Sequence, residues 1–298
     1  MPDVIRTNSL SKSFGKSLVV SDLSIHVAEG EIFGFLGVNG AGKTTTIGMF
    51  LGMIRPSAGE ISILGHKLPA GSDLWSNVGY QIGTNDSYPN LTIEENLKIV
   101  CRYRRIKESR INEIIDLLNL ARYRNRKASE LSLGNLQRLA IAKALIHRPK
   151  IIILDEPTNG LDPAAIVEVR KLIKSLSEDG STVFMSSHIL SEVSQLATRI
   201  AIIHDGRLTR EITSTQLDGL LDKKCIVDTS NNHAALAILR ARSIDAQLSN
   251  DQKIVITDPD IFQHPESIST LLVTANLPPR ELRVEKEDLE SFFLRSIS

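Results

Sequence analysis

The chain has 298 residues, 42% of them apolar, and its 35 basic and 35 acidic side chains cancel to a formal net charge of zero. That length fits one large domain with a smaller one, or two domains, and the apolar share is ordinary for a globular core. Zero net charge gives no general pull toward nucleic acid or anionic lipid, and the two cysteines, Cys101 and Cys225, make neither a disulfide framework nor a metal-binding spacing. In chain order, Met1 to Arg6 carry no apolar signal core. No run reaches the roughly 18 apolar residues that a membrane helix needs, so a membrane role is expected to come through a partner.

Residues 4 to about 65 read as short β segments, among them Ile25-His26-Val27 and Ile61 to Leu64, with turns at Glu29-Gly30 and Ala58-Gly59. Inside this region Glu31 to Leu36 is a short apolar strand, and Thr46 to Leu51 reads as a helix. Between them lies Gly37-Val38-Asn39-Gly40-Ala41-Gly42-Lys43-Thr44-Thr45, which fits G-x-x-x-x-G-K-[ST] in the strand-loop-helix context that the pattern requires. Glycines let backbone N–H groups turn inward, and those groups together with a helix N-terminus make an anion site suited to phosphates. Lys43 is then expected to reach the β- and γ-phosphates and the Thr44 hydroxyl to ligate Mg²⁺.

From about 91 to 147 the pattern turns helical. Thr92-Ile93-Glu94-Glu95 reads as a capping box, and Ile111, Ile114, Ile115 and Leu118 form a stripe at helical spacing. A further helix starts near Ser132 and is expected to bury Leu133, Leu136, Leu139 and Ala140. From 151 to about 208 buried strands alternate with helices: Ile151 to Leu154, a helix opened by Asp162-Pro163, Thr182 to Met185, and Arg199 to His204 before the Asp205-Gly206 turn. Such alternation implies an α/β fold with a mostly parallel sheet. Beyond about residue 215, short strands (Cys225 to Asp228, Lys253 to Thr257, Leu282 to Val284) interleave with helices near 233–242, 261–275 and 286–296, which suggests a small α+β appendage in βαββαβ order.

The strand Ile151 to Leu154 ends in Asp155 and Glu156. Neighbouring strand residues point to opposite sides, so the two acids are expected to divide the work. Asp155 suits a carboxylate that holds Mg²⁺ through water, and Glu156 a general base for an attacking water. His188, after Ser186-Ser187, falls at the C-terminal edge of a parallel sheet, where ligands bind. In Leu131-Ser132-Leu133-Gly134-Asn135, Ser132 caps a helix whose open first turn, at Gly134, suits a phosphate.

These residues, in this order, resemble the ATP-binding subunits of ABC transporters over roughly residues 4 to 210. The resemblance implies a P-loop NTPase core with a mixed or parallel sheet, an antiparallel β lobe and an inserted helical lobe at about 84–148, within a domain 1–215 that is followed by an accessory α+β domain 216–298. It implies ATP hydrolysis, with Gly37, Asn39, Gly40, Ala41, Gly42, Lys43, Thr44 and Thr45 around the phosphates, Phe14 stacked on adenine, Ser132 and Gly134 as the signature contacts, Asn159 to Asp162 as the D-loop, and Glu156 and His188 as catalytic residues. Thr44, Asp155 and Gln81 would serve the metal. Three departures stand out: Val38 replaces a frequent proline, Leu133 and Asn135 replace the usual glycine and glutamine, and the usual Q-loop glutamine position, counted back from Asn90-Leu91-Thr92, falls on Gly83, with Gln81 two residues earlier.

The resemblance further implies a head-to-tail dimer with a second ATP-binding subunit, read as another copy of the chain, that closes on ATP and Mg²⁺. It implies a separate transmembrane permease at the cytoplasmic face of the membrane, contacted through the region Gln81 to Arg105 with its Arg102, Arg104 and Arg105. The Val38 loop, the Leu133 signature and the ending Leu289 to Leu294 are similar to subunits that export drugs or peptide antibiotics. The rival readings are a soluble ATPase regulator acting on nucleic acid or ribosomes, and a small-molecule kinase. The first lacks a second engine, a coiled-coil insertion and a basic face here. The second leaves the Ser132 segment unexplained.

Overall fold

The computed structural model describes residues 2–83 and 87–297. They form two compact units that divide between Thr215 and Gln216.

Among the described residues of the first unit, a six-stranded sheet runs in the order Arg207–Thr213, Arg199–His204, Ile32–Leu36, Thr182–Ser187, Ile151–Asp155, Val78–Gln81. Every neighbouring pair is parallel except the first, which is a hairpin closed by Asp205-Gly206. Ile32–Leu36, Ile151–Asp155 and Thr182–Ser187 are buried at every position, which is why they read as continuous apolar runs and not as alternating ones. The strand Thr182–Ser187 extends two residues past the apolar run expected from sequence and takes Ser186 and Ser187 into the sheet.

The core on one face of this sheet is built on Phe184. Its ring lies 5.6 Å from Phe33, 5.4 Å from Phe35 and 5.2 Å from Phe50. Phe50 ends the helix Lys43–Phe50, so the aromatic cluster anchors that helix beneath its own phosphate loop. An antiparallel sheet of Asp3–Phe14, Ser17–Leu23, His26–Ala28, Ala58–Ile63 and His66–Lys67 supplies Ile5, Leu10, Val20, Leu23, Ile61 and Ile63 to the same core.

The helical segment contains Ile93–Arg104, Arg110–Leu117 and Leu133–Leu145. Thr92 and Glu95 exchange both bonds of a capping box, and Ile111, Ile114, Ile115 and Leu118 are buried as the stripe requires. Leu133 departs from expectation. It is 41% exposed because it sits in the first turn of its helix, ahead of the packed layer, and its side chain lies against Gly160.

In the second unit the antiparallel order is Ala246–Leu248, Ile254–Ile256, Lys223–Asp228, Glu281–Lys286. With Asn232–Ala241 and Glu266–Thr274 as crossovers this is a split β-α-β arrangement. The second crossover is preceded by a separate short helix, Pro259–Gln263, because Pro265 interrupts the run that sequence joined. Cys225, Val227, Ile254, Ile256, Leu239 and Leu272 make its core.

Phe184→Ala removes the shared partner of three rings and is expected to cost about 3–5 kcal/mol of unfolding free energy in a denaturant titration, the usual range for a buried aromatic.

Candidate functional site

The strand Ile32–Leu36 delivers the loop to the C-terminal edge of the sheet, where the Gly37 amide donates to the Ser187 carbonyl at 3.1 Å. Close approach fixes the residue types here. A Cβ on Gly37 would lie 2.6 Å from the Ile203 carbonyl oxygen, and one on Gly42, at φ 101°, 2.8 Å from that of Val19. Asn39 and Gly40 are exposed and Ala41 is buried, so the loop presents its crown to solvent and packs its base. The helix begins at Lys43, followed by exposed Thr44 and half-buried Thr45. Lys43 is 6% exposed. Its ammonium donates to the carbonyls of Gly37 at 2.7 Å and Val38 at 3.2 Å and pairs with Glu156 Oε1 at 3.1 Å. These acceptors compensate a cation that burial would otherwise penalise heavily.

The Thr44 hydroxyl donates to Asp155 Oδ2 at 2.9 Å, and the Ser186 hydroxyl donates to Asp155 Oδ1 at 2.6 Å. Ser186 Oγ also accepts the Glu156 amide at 2.9 Å. Glu156 has φ 52°, a left-handed conformation uncommon for a residue with a Cβ. The alternation expected for two adjacent strand acids therefore ends at Asp155. The left-handed turn, not the pleat, separates the two carboxylates and swings Glu156 toward Lys43 and His188. His188 Nδ1 lies 2.8 Å from Glu156 Oε2, and Ser187 Oγ accepts the Ile189 amide at 3.0 Å in a turn around the histidine. The ends of three adjacent strands thus bring Lys43, Thr44, Asp155, Glu156 and His188 into one connected network.

A hydroxyl and a carboxylate are the hard oxygen donors that Mg²⁺ prefers. The pair Thr44–Asp155 would hold Mg²⁺, with its remaining partners supplied by the nucleotide and water.

Gln81 does not join this pair. It ends the strand Val78–Gln81 in register with Leu154, one residue short of Asp155, and so belongs to the opposite face of the sheet. It is buried, its amide donates to the Gly83 carbonyl, and its Oε1 has no hydrogen-bond partner among the described residues. Phe14 is half exposed, with the Lys12 ammonium 4.8 Å from its ring centre. Ser132 caps the helix Leu133–Leu145 by accepting the Asn135 amide at 3.4 Å. Gly134 follows in its first turn, where an added Cβ would meet Ala165 and Leu161 only at ordinary contact distance. Sequence reasoning missed Ser186. The signal was its place two residues beyond Phe184 on one strand, which puts both on the same face.

A separate groove lies along the helix Ile93–Arg104, in two adjoining clefts of about 300 and 480 Å³ that share Tyr80, Tyr103 and Arg104. Tyr88, Tyr103 and Met53 are well exposed in it, and none of its described lining residues is acidic. Of the three arginines singled out in sequence, Arg104 turns into the groove and donates to the carbonyl of Trp75 at 2.7 Å. Arg102 stays at the surface 3.6 Å from Glu108, and Arg105 is an exposed left-handed helix end. His147 lines the same groove and its Nε2 lies 3.0 Å from the Val78 carbonyl, so the proton sits on Nε2.

A family model described as ABC transporter matches residues 20–159. The bacitracin transport ATP-binding protein BcrA of Bacillus licheniformis is 36% identical, with all of this chain and 98% of that protein covered. The chain belongs to the ABC transporter ATP-binding proteins. The lantibiotic transport ATP-binding protein SrtF of Streptococcus pyogenes is 36% identical over 70% of this chain and 90% of that one. A solved ATP-binding cassette, dimeric and in a post-hydrolysis state with ADP and Pi, superposes with a TM-score of 0.65 at 28% identity, covering 70% of this chain and 98% of that one. As a member of this family the chain is an ATP-binding and ATP-hydrolysing subunit. Among the described residues no helix is long and apolar enough to cross a membrane.

Burial, and secondarily the charge of Arg104, push the His147 imidazole down from 6.5 to about 4, against the opposing bond to Val78. The folded pKa is lower than the unfolded one, so the unfolded chain binds the extra proton and the fold loses stability as pH falls from about 6.5 to about 4. His147→Gln is expected to flatten that loss by about 1–2 kcal/mol, after discounting for partial exposure, in urea titrations at pH 7 and pH 4.5.

Proposed function

We propose that the chain powers a separate membrane permease that exports a peptide antibiotic or similar drug, by hydrolysing ATP held with Mg²⁺ at the C-terminal edge of the central sheet. The observation that carries the reading is the connected network of Lys43, Thr44, Asp155, Glu156 and His188. Phosphate oxygens take the loop amides and the Lys43 ammonium as donors. Phe14 offers its half-exposed face to the adenine. Thr44 and Asp155 would hold Mg²⁺, which would supply neutralisation of the phosphate charge. Glu156 accepts the proton of the attacking water, whose oxygen bonds to the γ-phosphorus as the bond to the bridging oxygen breaks. His188, tied to Glu156, lies at the same strand edge and donates to the γ-phosphate.

Ser132 and Gly134 head a helix of 13 residues, and among the described residues no hydrogen bond joins them to this network. We assign them to the ATP of a second copy in a head-to-tail dimer, where the helix N-terminus and its amides complete the phosphate site. The groove around Tyr103 and Arg104 is the docking surface for the permease. It is aromatic, cationic and free of lining acids among the described residues, so it suits a segment that brings apolar side chains and a carboxylate. Peptide cargo is supported by the likeness to the bacitracin and lantibiotic transport proteins.

Glu156→Gln is expected to keep ATP binding and to slow steady-state hydrolysis at least about 100-fold, the scale of a lost general base. The same variant with saturating Mg-ATP is expected to elute as a dimer in size-exclusion chromatography; a monomer there would sink the sandwich. Tyr103→Glu, at a position 87% exposed, is expected to lower recovery of the co-expressed permease with the tagged chain about tenfold or more.

A further inference from the structure

We infer that Ser186 is a positioning residue of the hydrolytic site, one hydroxyl that sets the metal carboxylate and the general base at the same time. Ser186 is fully buried, and its Oγ makes two bonds. It donates to Asp155 Oδ1 at 2.6 Å and accepts the Glu156 amide at 2.9 Å. The short charge-assisted bond uses one oxygen of the carboxylate and leaves Oδ2 toward Thr44 Oγ1, 2.9 Å away, where the metal is placed. The bond from the Glu156 amide secures the left-handed turn at φ 52° that aims Glu156 at Lys43 and His188. The two acids therefore depend on a side chain from the neighbouring strand, in register at Asp155 opposite Ser186. Outer partners of this kind orient metal-ligating carboxylates, and their loss typically costs about 10- to 100-fold in metal affinity or activity.

The inference rests on the placement of Mg²⁺ between Thr44 and Asp155 proposed above. It is tested by titrating a fluorescent ATP analogue into the full chain at a series of magnesium chloride concentrations and in EDTA. In Ser186→Ala the magnesium concentration that half-maximally tightens nucleotide binding is expected to rise about 10-fold or more. Binding in EDTA is expected to match the parent, because the phosphate loop is untouched. An unchanged magnesium midpoint, or equal weakening with and without metal, would overturn the inference. If Ser186→Ala does not fold by circular dichroism, Ser186→Cys carries the same test, since it keeps the shape and weakens the donor. Asp155→Asn separates the two claims. If it shifts the midpoint and the Ser186 variants do not, only the Ser186 inference fails; if it too leaves the midpoint at the parent value, the metal placement fails.

Discussion

A buried ammonium organises this site. Lys43 is almost wholly removed from solvent at the start of a helix, and the interactions that make its charge tolerable are two loop carbonyls and one carboxylate. Phosphate oxygens are stronger acceptors than those carbonyls and compete with Glu156 for the same ammonium. On the roles proposed above, binding of a triphosphate and release of Glu156 toward a water would be linked by charge, with Lys43 as the cation common to both.

The rest of the unit serves that arrangement. Neighbouring parallel strands end together because the Phe184 cluster and the apolar runs fix their register, and a parallel sheet with both faces covered leaves its C-terminal edge as the place where polar groups converge. The site then needs only small adjustments at strand ends: tight glycine positions at Gly37 and Gly42, a left-handed turn at Glu156, and hydroxyls at Thr44 and Ser186 that each donate to one oxygen of Asp155. The Tyr103–Arg104 groove is a different kind of surface, aromatic and without acids among its described lining residues, and it is the one proposed above for a partner.

Much of this was legible in the sequence because the chemistry is local there. The run Gly37 to Thr45 carries its own strand, loop and helix, and Asp155-Glu156 closes an unmistakable apolar strand. What escaped was set by neighbours across the sheet. Ser186 looked like the start of a loop because serine is a weak strand former, yet hydrogen bonding to Asp155 and Glu156 keeps it in the ladder. Gln81 looked close enough in sequence to serve the metal, but one residue of register moves it to the other face. Leu133 fitted a helical stripe and lies ahead of the layer that buries it. The strand Ala246–Leu248 is too short for any periodicity to reveal, and the groove is assembled from segments between Leu51 and His147 that share no pattern.

The central claim is that the Lys43 ammonium and its loop are what the chain uses to hold the triphosphate. Isothermal titration of Mg-ATP into the purified chain and into Lys43→Ala tests it most directly. The account predicts saturable binding by the parent and affinity lower by about 100-fold or more in the variant, as expected when a charged donor is removed from a partly buried phosphate site. Equal affinity of the two proteins for Mg-ATP would contradict it.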